Sequence, residues 1–246
     1  MIDPKEIHII LITFDKQWNF YINMDIIRNN YSFGKDVWLT HVYNGDIKDV
    51  YTGIGENNFI KLDNNRGYHR GALDLYNAGL DFAKIINKEY TLIMNSDVWI
   101  LNQNSFINLF DNIGEKYFST GKDIVFGRPL TDLFIFKTER IPEIIEEKVL
   151  EFRKEKEILK KEYSNTGWDI FEEWMLYSLY NNYSAEVFEG SIDNYWNVMH
   201  RGEHPRYSWN EENHILHTHD LHIKKEKLIS NNIKKGNYLN KFINGV

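Results

Sequence analysis

The segment Tyr90–Leu101 constrains the fold more than any other part of the sequence. Its apolar run Thr91–Met94 has no helical period, and the polar triplet Asn95-Ser96-Asp97 interrupts it before apolar residues resume. Such a run is typical of a strand buried on both faces. A carboxylate in this setting is costly unless it meets a cation or hydrogen-bond donors. Ligands of open α/β sheets bind at the carboxyl ends of strands, so the triplet predicts either a binding site or a polar turn between core strands.

Strand and helix patterns alternate along the first hundred residues. Ile7–Phe14 predicts a first strand, apolar residues at helical spacing between 20 and 31 predict a helix, and Asp36–Tyr43 predicts a second strand. Phe59–Leu62 predicts a third strand, and a helix is expected from Ala72 to the turn at residues 87–88. Strands joined by short links to helices form right-handed βαβ units, which indicates a parallel sheet.

Further elements are predicted downstream. The pattern indicates a helix from Ser105, strands at Asp123–Arg128 and Leu133–Phe136, a long charged helix over 144–163, and a helical tail over 223–246. The chain of 246 residues has 42% apolar residues, a net charge of -7 and no cysteine. These values exclude disulfides and argue against general nucleic-acid binding. No transmembrane segment or signal peptide is evident, so a cytoplasmic protein is expected.

Three polar clusters are candidate sites. Arg66, His69 and Arg70 lie at the start of the helix before the Tyr90 strand, where backbone N–H groups also favour anions, although a solvated turn has the same composition. Asp169, Glu172 and Glu173 lie at the start of another predicted helix, where acidic residues are common for electrostatic reasons alone. Four histidines fall within residues 214–222, and on a strand His217 and His219 would share a face.

The order of these features resembles the family-2 glycosyltransferases and the wider nucleotide-sugar-dependent GT-A fold, over roughly residues 7 to 140. The shared features are strands ending in polar turns, a Gly-containing loop before the helix with Tyr76-Asn77-Ala78-Gly79, and a strand ending in Asn95-Ser96-Asp97. The resemblance implies a single three-layer α/β/α domain over 1–246 with a central, mostly parallel sheet. A Rossmann-like nucleotide-sugar half (1–102) and an acceptor half (103–222) would precede the tail.

The resemblance also implies a divalent cation, Mn²⁺ or Mg²⁺, at the end of the Tyr90 strand. In that family an Asp-x-Asp motif holds the cation, whereas here the first acidic position is Asn95 and only Asp97 is a carboxylate. An amide oxygen can ligate a hard cation but adds no charge. Many such enzymes take a further ligand, often a histidine, from a late segment, and His217 or His219 fits that role.

The remaining site residues are likewise implied by the resemblance. Glu173 takes the position of the catalytic base that deprotonates an acceptor hydroxyl, with Glu172 and Asp169 as the other carboxylates there. The donor would be a UDP- or GDP-sugar and the acceptor a glycan, lipid-linked or protein hydroxyl, as in polysaccharide biosynthesis. The expected substrate-binding residues are Thr13, Phe14, Asp15, Asn44, Arg66, His69, Arg70, Asn77, Asn95, Ser96, Asp132 and Trp196. Trp196 lies in an aromatic segment, residues 191–209, that is expected to be a loop with faces for sugar stacking.

Two other functions are compatible with the sequence. His217-Thr218-His219-Asp220-Leu221-His222 resembles the His-x-His-x-Asp-His signature of metallo-β-lactamase-like hydrolases, with the aspartate and the spacer exchanged. A metallohydrolase is therefore one alternative. A sugar-nucleotide-binding protein with weak or no turnover is the other, because Asn95 replaces an acid.

Overall fold

The computed structural model describes residues 2–14, 17–45, 55–64, 66, 68–100, 103–111, 113, 118–122, 129–141, 195–197 and 215–217. Within these ranges the strands are β1 (Ile7–Phe14), β2 (Trp38–Asn44), β3 (Asn58–Lys61), β4 (Tyr90–Asn95), β5 (Val98–Ile100), β6 (Phe118–Lys122), β7 (Pro129–Lys137), β8 (Tyr195–Asn197) and β9 (Ile215–His217).

The described helices are α1 (Gln17–Asp25), which continues into a π-helical turn at Ile26–Asn30, α2 (Tyr68–Ile86) and α3 (Gln103–Asp111). Short 3₁₀ turns occupy Pro4–Glu6 and Thr138–Arg140. In the described part of the chain, no helix combines the length and apolar character that crossing a bilayer requires.

Six strands form one sheet in the order β3-β2-β1-β4-β7-β6. The first four are parallel to one another, β7 is antiparallel to both its neighbours, and β6 therefore runs in the common direction. A second sheet has the order β5-β9-β8. The predicted α/β class with a central, mostly parallel sheet is confirmed.

Side chains that alternate along β1 divide the core into two layers. Ile9 and Leu11 belong to a buried cluster that contains Phe20 of α1 and Phe106 of α3. Ile10 and Ile12 belong to a second cluster with Leu73, Tyr76 and Leu80 of α2. Because successive strand residues point to opposite faces, α1 and α3 cover one face of the sheet and α2 covers the other. The three-layer arrangement follows directly from the apolar run in β1.

Helix α2 begins at Tyr68, four residues before the predicted start at Ala72. The prediction was wrong because it treated Gly71 as part of the preceding loop. A glycine in a helix costs only ~1 kcal/mol, and the buried face formed by Leu73, Tyr76 and Leu80 outweighs that cost. His69 and Arg70 consequently lie in the first turn of the helix.

Gly79 sets how closely α2 approaches the sheet. A Cβ atom at this position would lie 2.8 Å from Cγ2 of Ile10 and 3.5 Å from side-chain atoms of Ile93 and Val42. Only glycine therefore allows the helix to lie this close to β1.

The other predicted elements have mixed outcomes. Residues Leu133–Phe136 lie in β7 as predicted, and α3 includes the helix expected from Ser105. Strand β6 was not predicted, because its sequence Phe-Ser-Thr-Gly-Lys has little apolar alternation. Tyr195–Asn197 forms a strand inside the segment expected to be a loop. The predicted strand at Asp123–Arg128, the charged helix and the C-terminal tail lie outside the described residues.

Candidate functional site

Three of the predicted polar positions, Thr13, Asn44 and the Asn95-Ser96-Asp97 turn, lie at one edge of the large sheet. Strands β1 to β4 are parallel, so their carboxyl ends share this edge, which we call the carboxyl edge. Helices α1 and α2 follow β1 and β3 and therefore begin there. The carboxyl edge is the usual ligand-binding position in an open α/β sheet.

The turn Asn95-Ser96-Asp97 at the end of β4 is held by two hydrogen bonds to the backbone of Ser96 and one to that of Val98, the next residue. The Ser96 N–H donates to the carbonyl oxygen of Ile12 in β1 at 2.8 Å. Nδ2 of Asn23 in α1 donates to the carbonyl oxygens of Ser96 at 2.5 Å and Val98 at 3.1 Å. Asn23 is fully buried. The backbone on both sides of Asp97 is thus tied to β1 and to α1.

The Asn95 side chain is oriented from the opposite face of the sheet. The Tyr76 hydroxyl of α2 donates to Oδ1 of Asn95 at 3.1 Å. A hydroxyl donating to Oδ1 fixes which end of the amide faces α2. Tyr76 is itself 1% exposed, whereas Asn95 is half-buried, so the contact joins the core to the end of the strand.

Asn44 is the last residue of β2 and lies on the same face of the sheet as Asn95. Val42 and Ile93 both belong to the core cluster under α2. Residues two positions apart in a strand share a face, so Asn44 and Asn95 lie on the α2 side as well. The Asn44 side chain is buried, and its Nδ2 has no hydrogen-bond partner among the described residues. A buried donor without an acceptor is costly and indicates a missing partner such as a ligand oxygen or a water.

Thr13 lies on the other face, near the end of β1. It is fully buried, and Nε2 of His41 lies 3.0 Å from its hydroxyl oxygen. The imidazole of His41 stacks on the ring of Phe20 in α1, with centroids 3.5 Å apart. Burial lowers the pKa of His41 to about 3, so the imidazole is neutral at neutral pH. The Thr13 side chain thus contributes to packing beneath the carboxyl edge.

The basic cluster lies at the N-terminal end of α2. Nε of Arg66 donates to Oδ2 of Asp74 at 2.7 Å, and a second bond joins the same two side chains. Arg70 is exposed in the first turn, and the Asn77 side chain is partly buried in the third. Arg66 is therefore anchored to α2, and Arg70 is an exposed residue of the first turn, the part of a helix whose backbone N–H groups favour anions.

The second sheet brings late parts of the chain to the Asp97 turn. Strand β9 runs antiparallel to β5 with His217 paired to Val98, the residue after Asp97. Strand β8 is parallel to β9, with Trp196 paired to Leu216. In β7, Leu133 is paired to Met94, so Asp132 lies at the same end of the sheet as Asn95. The predicted return of the histidine-rich segment to this region thus has a backbone basis.

Several predicted site residues have no described position. Asp15, Glu172, Glu173, Asp169 and His219 lie outside the described residues, and for Phe14, His69, Asp132, Trp196 and His217 only the backbone is described. Within the described part of the chain, no group of three or more His, Asp or Glu side chains is placed to hold a metal ion. The Asp97 carboxylate and the Asn95 amide still offer the oxygen ligands that a hard divalent cation prefers.

Asn23 and His41 were not among the predicted site residues, and Tyr76 was named only as part of the Tyr76-Asn77-Ala78-Gly79 helix feature. Asn23 carried a usable signal, because it is a neutral polar residue within the apolar helical stretch 20–27. No sequence signal gave Tyr76 or His41 a role at the site, since a tyrosine on an apolar helix face and a histidine in a strand are common in protein cores.

No family model and no curated protein sequence matches this chain. Three solved structures whose backbone folds resemble that of this chain are glycosyltransferases. GlyE of Streptococcus pneumoniae TIGR4 has 11% identity and a TM-score of 0.46, over 76% of this chain and 45% of that one. The galactosyltransferase LgtC, in complex with donor and acceptor sugar analogs, has 13% identity and a TM-score of 0.45, over 69% and 70%.

The third is the mannosyltransferase PcManGT from Pyrobaculum calidifontis, in complex with GDP-Man and Mn²⁺, with 12% identity and a TM-score of 0.39 over 54% of this chain and 47% of that one. The present chain spans less than half the length of the GlyE chain that it matches. A likeness this low assigns neither a family nor an activity to this chain.

Proposed function

We propose that this protein is a glycosyltransferase that moves a sugar from a nucleotide-diphosphate donor to a hydroxyl acceptor. The observation that carries the proposal is the Asn95-Ser96-Asp97 turn. It places one carboxylate at the carboxyl edge of a mostly parallel sheet, with its backbone tied to β1 and α1. The sequence resemblance to the GT-A enzymes concerns this same turn.

Asp97, with Asn95 and either His217 or His219, would hold a divalent cation, Mn²⁺ or Mg²⁺. Such a cation, when bound, neutralises charge that develops on a departing diphosphate. The pairing of His217 with Val98 supports this ligand set, because it brings the histidine-rich segment to the residue after Asp97.

The donor's phosphates would bind near the start of α2. Arg70 is exposed in the first helical turn, where the backbone N–H groups have no partner within the helix. The buried Nδ2 of Asn44 would donate to a donor oxygen farther along the carboxyl edge. The nucleotide would be uridine or guanosine diphosphate, and the acceptor a glycan or a glycosylated molecule.

Glu173 would act as the base of an inverting transfer. The acceptor hydroxyl oxygen forms a bond to the anomeric carbon, the bond from that carbon to the diphosphate oxygen breaks, and the hydroxyl proton passes to the Glu173 carboxylate. This role comes from the register of Glu172-Glu173-Trp174 in the sequence.

A binding protein with little turnover is the second candidate. Asn95 favours it, because an amide contributes no negative charge to a cation site and the Tyr76 hydroxyl already donates to its oxygen. Ligand binding without transfer would distinguish this candidate from the enzyme.

The test combines a binding assay with a transfer assay. We expect UDP- or GDP-sugars to raise the melting temperature with Mn²⁺ and to do so much less after the cation is chelated, since a ligand of the folded state stabilises it by mass action. Asp97→Ala should remove the metal-dependent part of both binding and activity. Asp81→Ala is the matched control, because its exposed carboxylate lies beside Lys84 in the later turns of α2 and not at the Asp97 turn. If the Asp97→Ala variant retains wild-type activity with the metal, the proposal is wrong.

A further inference from the structure

Asn23 is a fully buried amide in a helical stretch whose other buried residues, apart from Asp25, are hydrophobic. Its side chain is fully buried, and the neighbouring core residues of the same helical stretch are Phe20, Tyr21, Ile22, Met24, Ile26 and Ile27. An amide in such a place is costly unless its polar atoms find partners. Its contacts therefore show what the amide does there.

The Asn23 amide nitrogen spans the backbone around Asp97. Its two hydrogens donate to the carbonyl oxygens of Ser96 and Val98, the residues immediately before and after Asp97. Carbonyl oxygens only accept hydrogen bonds, so the nitrogen, and not the oxygen, must face them. Both accepting residues are buried, and no water would replace the lost donors without rearrangement.

The oxygen of the Asn23 amide, in contrast, is unsatisfied. Oδ1 of Asn23 is buried without a hydrogen-bond partner among the described residues. An apolar side chain of similar size would remove this unsatisfied atom and pack well in the same cluster. The amide is therefore better explained by the geometry that it imposes on the turn than by a gain in core stability.

We infer that Asn23 is a positioning residue that fixes the direction of the Asp97 carboxylate by holding the carbonyls on either side of it. The functional part of this inference rests on the proposed glycosyltransferase function, whereas the structural part does not. Tyr76 orients the neighbouring Asn95 side chain from the other face of the sheet, so the two candidate cation ligands in the turn are held by helices on opposite faces.

Asn23→Leu is the main test, because it removes both donors at similar volume. Asn23→Ser retains one donor and provides a second variant if the leucine variant does not fold. Thr91→Val is the matched control. It removes the buried 2.8 Å hydrogen bond between the hydroxyls of Thr91 and Thr138 near the amino end of the same strand β4. If a general loss of stability caused the effects, Thr91→Val would show them as well as the Asn23 variants.

Two measurements are made well below the melting temperature of every variant. The first is amide hydrogen exchange of a peptide that contains residues 95–98. The second is the dissociation constant of UDP in the presence of Mn²⁺. In Asn23→Leu we expect exchange in the turn to accelerate at least about tenfold and UDP to bind at least about tenfold more weakly, because both hydrogen bonds to the turn are lost. In Thr91→Val both quantities should stay within about twofold of the wild type.

The outcomes separate this inference from the proposed function. If wild-type protein binds neither UDP nor GDP with Mn²⁺, the proposed function fails, and hydrogen exchange alone decides whether Asn23 holds the turn. Unchanged exchange in the Asn23 variants, or equal acceleration in Thr91→Val, would overturn the inference. Faster exchange with unchanged nucleotide affinity would show that Asn23 stabilises the turn without positioning Asp97 for a ligand, which also overturns it.

Discussion

Val98 and His217 are paired across the antiparallel strands β5 and β9. They lie far apart in the sequence, yet the pairing brings the histidine-rich segment to the residue that follows Asp97. The second sheet therefore joins the strand that follows the Asp97 turn to the strand that contains His217. This relationship underlies the first prediction.

His217→Ala should weaken Mn²⁺ binding by at least about tenfold, because removal of groups that merely support a metal ligand already costs that much. Isothermal titration of the protein with Mn²⁺ in the presence of UDP measures the effect. His219→Ala tests the other candidate in the same way, and His222→Ala is the control within the cluster. Equal affinity in all three variants would place the histidines outside the cation site.

Asn95→Asp should strengthen Mn²⁺ binding. The variant adds a second carboxylate to the turn, beside that of Asp97. An oxygen of the new side chain can still accept a hydrogen bond from the Tyr76 hydroxyl. One added charge close to the cation is expected to lower the dissociation constant by about tenfold, or ~1.4 kcal/mol. Asn104→Asp adds the same charge at an exposed position of α3 and should leave the affinity nearly unchanged. An equal gain in both variants would indicate a general charge effect and not a ligand.

Glu173→Gln should lower the rate of sugar transfer by ~10² to 10⁴-fold with little change in donor binding, because the amide cannot accept the acceptor's proton. Glu172→Gln should cost less, since neighbouring positions of a helix point about 100° apart. Initial rates with saturating donor measure both.

An undiminished rate in Glu173→Gln would place the base elsewhere, with Asp169 and Asp132 as the next candidates. A product of retained anomeric configuration would remove the need for a base at this position.

His41 should make the fold less stable in mild acid. Burial lowers its pKa to about 3 in the folded protein, whereas the unfolded chain titrates near 6.5. Between these values the unfolded state binds a proton that the folded state does not, so the free energy of unfolding falls as the pH falls below 6.5. At pH 5 the contribution is about 2 kcal/mol.

Urea unfolding at pH 7.5 and pH 5 checks this expectation. The difference in unfolding free energy between the two pH values should shrink by about 2 kcal/mol in His41→Gln. Thr13→Val removes the partner of the His41 ring without removing the titrating group, so its pH dependence should match the wild type. A wild-type pH dependence in His41→Gln would contradict the prediction.

The sequence alone was sufficient for the parts of the fold that depend on local pattern. The bounds of β1 agree with the predicted strand Ile7–Phe14, because a strand buried on both faces is apolar at most positions, here all except His8 and Thr13. The end of β4 at Asn95 was also predictable, since a polar triplet cannot continue such a strand. The position of the candidate site at the carboxyl edge follows from these two features and the parallel order of the strands.

Only the tertiary structure identified the residues that support the site. The contacts from Asn23 to the Ser96 and Val98 carbonyls, from Tyr76 to Asn95, and from His41 to Thr13 each join different elements. The pairing of His217 with Val98 likewise depends on how distant segments meet. Local periodicity records which face of an element is buried, but it contains no information about which polar atom lies opposite across the core. That is set by the packing of helices on both faces of the sheet, because packing decides which buried donors and acceptors come within hydrogen-bond distance.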